Sequence, residues 1–149
     1  MEFCGCPGSA MKDFGKKRES KASTGRVDNE LRQWPIQLHL VSPSAPYFND
    51  ADLVIAADCV PFAYANFHAD FLKGKPVVIG CPKLDDTESY ADKIAQIIRE
   101  GNVKSITVAH MEVPCCFGLQ NIAEEAVSKS GKKLPINEVT ITLQGEKQH

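Results

Sequence analysis

The sequence predicts a three-layer α/β domain on a mostly parallel sheet, and two patterns carry that expectation. Short apolar, β-branched runs recur at residues 37–41, 53–57, 76–80, 105–109 and 139–143. Between them lie longer stretches with helical spacing and helical punctuation. Strands alternating with such helices pair in parallel, because each crossover helix returns the chain to the same end of the sheet, and the helices cover both faces. The arrangement expected is Rossmann-like or flavodoxin-like, with the strand order open.

Each helix has its own signals. The stretch 60–72 has Pro61 in its first turn and sets Phe67 and Phe71 one turn apart. The stretch 86–99 starts at Asp86, a natural cap, lines up Tyr90, Ile94, Ile97 and Ile98, and meets Gly101 as a stop. The stretch 116–130 stacks Leu119, Ile122, Ala123, Ala126 and Val127 and ends at Gly131.

Ahead of this body the chain changes character. Residues 1–11 form a head around Cys4-Gly5-Cys6-Pro7, too rich in Gly and Pro for regular structure. Residues 12–33 read as a basic linker carrying Lys12, Lys16, Lys17, Arg18, Lys21 and Arg26. Its few apolar residues cannot offset an ordering cost of about 1–2 kcal/mol per residue, so a solvated tether is expected, with a phosphate or partner contact as the other reading. Limited proteolysis is expected to cut first there; full protection would contradict a tether. The α/β domain then occupies residues 34–149.

A chain of 149 residues supports one domain with its own core. A net charge of −2 and a pI near 6.1 give no electrostatic case for nucleic acid or an anionic membrane. No apolar run approaches the roughly 18 residues of a membrane span. The first residues lack the features of a secretory signal, so a cytoplasmic location is expected.

Six cysteines in such a chain need a reason. A reducing compartment keeps thiols free, and thiolates are soft metal ligands. Cys59 directly follows the run ending near residue 57, and Cys81 directly follows Gly80. Cys115 and Cys116 lie just beyond the run at 105–109, at the mouth of the next helix. Parallel strands share one carboxyl edge, so these four thiols are expected on a single rim. Cys59 and Cys116 sit at expected helix N-termini, where the helix dipole favours thiolate or sulfide. Pro61, Pro82 and Pro114 stiffen the same loops. Cys4 and Cys6 could fold over the rim.

The plain alternative is that these cysteines are core residues, since free cysteine is commonly buried. Zinc is a further competitor, but structural zinc favours Cys-X2-Cys knuckles and this chain has none. His110, closing a strand on the rim, could join such a site; His39, His68 and His149 read as ordinary residues. Asp58, Asp85 and Asp86 are candidate acids or bases near the cysteines. The chain has no Gly-X-Gly-X-X-Gly, phosphate-loop, Gly-X-Ser-X-Gly or Cys-X-X-Cys motif.

Five segments carry a resemblance: residues 4–9 (CGCPGS), 31–40 (LRQWPIQLHL), 56–64 (AADCVPFAY), 80–86 (GCPKLDD) and 111–119 (MEVPCCFGL). Together they resemble the C-terminal region of the 4Fe-4S ferredoxin-type iron–sulfur proteins of anaerobic bacteria. In many relatives this region follows a ferredoxin module with Cys-X2-Cys-X2-Cys-X3-Cys-Pro motifs, which are missing from this sequence. A looser similarity links the chain to the cluster-bearing small subunit of respiratory complex I.

The resemblance implies a redox or electron-transfer protein of anaerobic metabolism. The rim argument assigns a 4Fe-4S cluster to Cys59, Cys81, Cys115 and Cys116. Cys4 and Cys6 would cover it, replace a ligand or hold a second metal; six thiolates sharing one larger cluster is a further variant. The partner expected is a ferredoxin or oxidoreductase subunit, with a homo-oligomer open and catalysis unassigned. The competing class is a zinc-stabilised, non-catalytic partner-binding domain.

Overall fold

The computed structural model describes residues 7–15 and 27–148. Five strands form the main sheet: β3 (Asp52–Ala57), β4 (Val77–Gly80), β5 (Ser105–Met111), β6 (Ile136–Ile141) and β7 (Lys147–Gln148). Two shorter ones, β1 (Lys12–Asp13) and β2 (Gln33–Trp34), pair antiparallel as a separate ribbon. The sheet order is β4-β3-β5-β6-β7, with β3 to β6 parallel and β7 antiparallel to β6. Within the sheet this is the flavodoxin-type order 2-1-3-4-5.

That order has a mechanical consequence. From β3 the chain steps outward to β4, then crosses back over β3 to β5 and advances to β6. Right-handed crossovers therefore put α2 (Tyr90–Gly101) and α3 (Gly118–Ser130) on one face, and there they pack together. The segment around α1 (Val60–Ala63) belongs to the other face. β3 and β5 are neighbours whose connections leave in opposite directions. The gap beyond their carboxyl ends is the switch point of the sheet, where this architecture leaves room for a ligand.

The core lies between these layers. Leu53, Ile55, Ile106 and Ile141 from the strands meet Ile94, Ile97, Ile98, Leu119 and Ala123 from the helices, all at most 1% exposed. Burying each of the larger aliphatic side chains is worth about 1.5–3 kcal/mol, so α2 is held by its apolar face.

Several expected elements take other forms. Residues 37–41 form a turn rather than a strand. Gln37 makes one parallel bridge to Ile79, Leu38 N–H bonds Ile79 O, and Leu40 and Val41 N–H close back on Gln37 O. The segment thereby covers the edge of β4 and drops Leu38 and Val41 into the core. The helix expected at 60–72 splits into α1 and a π-helical turn, His68–Leu72. Tyr64 is extended between them, and its hydroxyl and the Asn66 amide both bond Asp70. Phe67 and Phe71 still stack, with centroids 5.3 Å apart. The helix expected from residue 86 begins at Tyr90; Asp86 instead accepts from Glu88 N–H at 3.2 Å, closing a local turn.

The basic stretch 12–33 is held to the domain at its far end, and its two described ends are joined to each other. Gln33 is 1% exposed, accepts from Val77 N–H at 2.8 Å and donates to Pro35 O. Arg32 donates to Gly15 O from Nε and Nη2, at 3.1 and 2.9 Å. The expected domain start at residue 34 thus falls inside the ribbon. Residues 16–26, and residues 1–6 of the head with Cys4 and Cys6, lie outside the described residues, as does His149.

Candidate functional site

Three neighbouring parallel strands end in cysteine-bearing loops on one edge. β3 leads through Asp58 to Cys59, β4 leads directly to Cys81, and β5 leads to Cys115 and Cys116. The first and third loops flank the switch point. Cys59 O accepts from Phe62 and Ala63 N–H, so this residue starts α1 and its side chain is exposed. Cys115 and Cys116 form a 3-10 turn with Pro114, which Cys116 N–H closes on Val113 O at 3.0 Å.

The loops after β4 and β5 touch although β3 lies between their strands. A Cβ on Gly118, the first residue of α3, would meet Pro82 Cβ at 3.4 Å, an ordinary van der Waals distance, so the two segments lie close together. All four thiols are free: Cys59 and Cys115 exposed, Cys81 half-buried, Cys116 buried.

Cys116 differs from the sequence expectation. Burial drives its thiol pKa up, and the nearby Cys115 and Cys59 thiols push the same way, against a backbone hydrogen bond with Met111. The reason is placement. Cys116 lies in the turn ahead of α3 and only 6% exposed, instead of in a solvated first helical turn. A cation in the site would reverse the balance, because it supplies the charge that burial denies.

Carboxylates stand beside the thiols. Asp58 N–H donates to Gly80 O at 3.1 Å, bridging the ends of β3 and β4. Its Oδ1 is buried without a hydrogen-bond partner among the described residues, and burial followed by the nearby Asp85 raises its pKa. Asp85 Oδ2 accepts from Cys81 N–H at 2.9 Å and from the Tyr90 hydroxyl, while Asp85 N–H donates to Cys81 O at 2.9 Å. Tyr90 is fully buried; burial and the Asp85 bond hold its hydroxyl protonated. Sequence reasoning used Tyr90 only as an apolar helix position. The available signal was an acidic residue five positions ahead of it in a cysteine loop.

His110 is committed elsewhere. It is 1% exposed, its Nδ1 donates to Met111 O at 2.8 Å, and its Nε2 faces Glu138 Oε1 at 3.2 Å. The Phe117 ring stands edge-on to it at 5.4 Å. Among the described residues, no three of the His, Cys, Asp and Glu side chains are gathered into a ready metal-holding group. A separate cleft of about 400 Å³ opens at the opposite end of the sheet, lined by Asp13, Arg32, Tyr47, Asp52 and Lys75, and contains no cysteine.

A protein of Archaeoglobus fulgidus, described as an uncharacterized protein, is 34% identical over 116 residues, spanning 78% of this chain and 81% of its own length. No solved structure matches the chain. A family model described as a Rossmann-like domain matches residues 45–148, the span holding the parallel sheet and all four described cysteines, and the chain belongs to that family.

Proposed function

We propose that the chain is an iron–sulfur redox protein that holds a 4Fe-4S cluster at the carboxyl edge of its sheet. Cys59, Cys81, Cys115 and Cys116 would be the ligands, with Cys4 and Cys6 as cover or alternative ligands. One observation carries this reading: three adjacent parallel strands each lead to thiols on the same carboxyl edge of the sheet, and Pro82 beyond the outer strand β4 lies close to Gly118 at the start of α3. The resemblance to the ferredoxin-type proteins of anaerobic bacteria points the same way.

The donor set fits in kind. Soft sulfur ligands on one edge suit iron and sulfide better than a hard oxygen-seeking cation. The thiols do not stand preassembled, so ligation is coupled to closure of the loops that carry them. The bound group would supply a one-electron redox couple. The chain's own residues would provide charge neutralisation by thiolate, a closed floor through Cys116 and Val60, and partial exclusion of water. Phe62, Leu84, Phe117 and Leu143, one beyond each parallel strand, are 92%, 83%, 47% and 64% exposed. Apolar surface of this kind beside the cysteines suits a redox partner such as a ferredoxin or oxidoreductase subunit.

Anaerobic purification with metal and sulfide analysis tests the reading. The expected protein is brown, absorbs broadly near roughly 400 nm, and contains iron and acid-labile sulfide in similar amounts. A colourless protein with stoichiometric zinc would replace this reading with the zinc-stabilised one. His110 would join such a site through Nε2 only by giving up its contact with Glu138, its Nδ1 staying on Met111 O.

A further inference from the structure

Resting on the reading of Cys81 as a cluster ligand, we propose that Asp85 and Tyr90 are positioning residues: they lock the Cys81 loop and set the reduction potential of the group bound there. The lock is visible in three hydrogen bonds. Cys81 and Asp85 clasp each other through Cys81 N–H to Asp85 Oδ2 and Asp85 N–H to Cys81 O, both 2.9 Å. The Tyr90 hydroxyl donates to the same Oδ2. Tyr90 is anchored in the first turn of α2, is fully buried, and bears on Gly80. A Cβ on Gly80 would stand 3.0 Å from Tyr90 Cε2 and 3.1 Å from its hydroxyl oxygen, so glycine is what admits the ring.

This arrangement has an electronic consequence. Backbone N–H groups that bond to cluster sulfur stabilise the reduced, more negative form. Here the Cys81 N–H is committed to a carboxylate instead. The carboxylate itself places negative charge beside a ligand and opposes the added electron. The Tyr90 hydroxyl bond withdraws part of that charge. Asp85 thus lowers the potential, and Tyr90 moderates the effect.

Opposite-signed substitutions separate this role from a merely structural one. Asp85→Asn keeps an acceptor for Cys81 N–H but removes the charge, so the midpoint potential is expected to shift upward. Tyr90→Phe leaves the carboxylate without its donor, so the potential is expected to shift downward. Both variants should retain wild-type iron content, and EPR-monitored redox titration of the reconstituted protein reads the two shifts. In the metal-free protein, Asp85→Ala should speed hydrogen exchange at the Cys81 amide by about tenfold or more. Shifts of the same sign, or none, would overturn the potential-setting role. Unchanged amide exchange would overturn the lock. A wild-type protein that takes up no iron would overturn the potential-setting role together with the cluster reading. The exchange result would still decide whether Asp85 holds the loop.

Discussion

Replacing Cys116 by serine is expected to abolish or severely reduce iron incorporation while leaving circular dichroism near that of the wild type. Cys116 is the most enclosed of the four described thiols, packed with the core under the turn that opens α3. Serine is nearly isosteric, so the apolar contacts survive; leaving its hydroxyl unpartnered would cost about 1–3 kcal/mol. The loss falls instead on the site. A cluster missing one thiolate is less neutralised and less fixed in geometry, and it becomes labile. Cys4→Ser should retain some cluster, because a head residue is one of several ways to complete or cover the site. Anaerobic reconstitution with iron and sulfide, followed by metal analysis, compares the two. If both variants loaded iron like the wild type, the rim would not be the cluster site, and a structural or zinc role would take its place.

The second large effect is on stability. Gly101→Ala is expected to cost about 1–3 kcal/mol by overpacking, lowering the thermal midpoint by several degrees in a chain of this size. A Cβ there would come within 2.7 Å of Phe48 O, a backbone atom that cannot swing aside. The 310-helical turn Pro46–Phe48 would have to move away from the end of α2, although Asp50 N–H is bonded to Gly101 O at 2.7 Å. Asn102→Gly should change stability by only about 1 kcal/mol. Asn102 carries the left-handed conformation that ends the helix, at φ 51°, which glycine adopts freely, but its exposed side-chain bonds to Asp50 and Lys132 would be lost. Urea denaturation distinguishes the two, and a Gly101→Ala midpoint equal to wild type would show that the close approach is relaxed in solution.

Gly101 also shows where local signals stop. In sequence it reads as a helix stop; in the fold it is the place where α2 touches the Phe48 turn, and Asn102 makes the stop. Asp86 and Tyr90 teach the same lesson. Asp86 looked like a helix cap, yet the clasp between Asp85 and Cys81 holds the loop in turns until Tyr90. The polar strand β7 carries no apolar run, and it forms because the β6 end turns back through Gly145 at φ 86°. Its partner lies only six to eight residues back in the same hairpin, but no apolar run marks the returning strand.

The sequence by itself determined the fold class, most of the main strands and the helical faces. Those rest on apolar periodicity, which is local and survives boundary errors of a few residues. It also determined that Cys59, Cys81, Cys115 and Cys116 share one edge, because parallel strands leave no other choice once each cysteine follows a strand. Tertiary structure alone decided the order β4-β3-β5-β6-β7, and hence that Cys59 and the Cys115–Cys116 turn flank the switch point. It alone buried Cys116 and reversed the expected ease of thiolate formation there, and it brought His110 to Glu138, 28 residues further along the chain. The physical reason is the range of the forces involved. Periodicity and turn chemistry act over a few residues, whereas burial, charge proximity and close backbone approach depend on segments tens of residues apart that meet only when the sheet is complete.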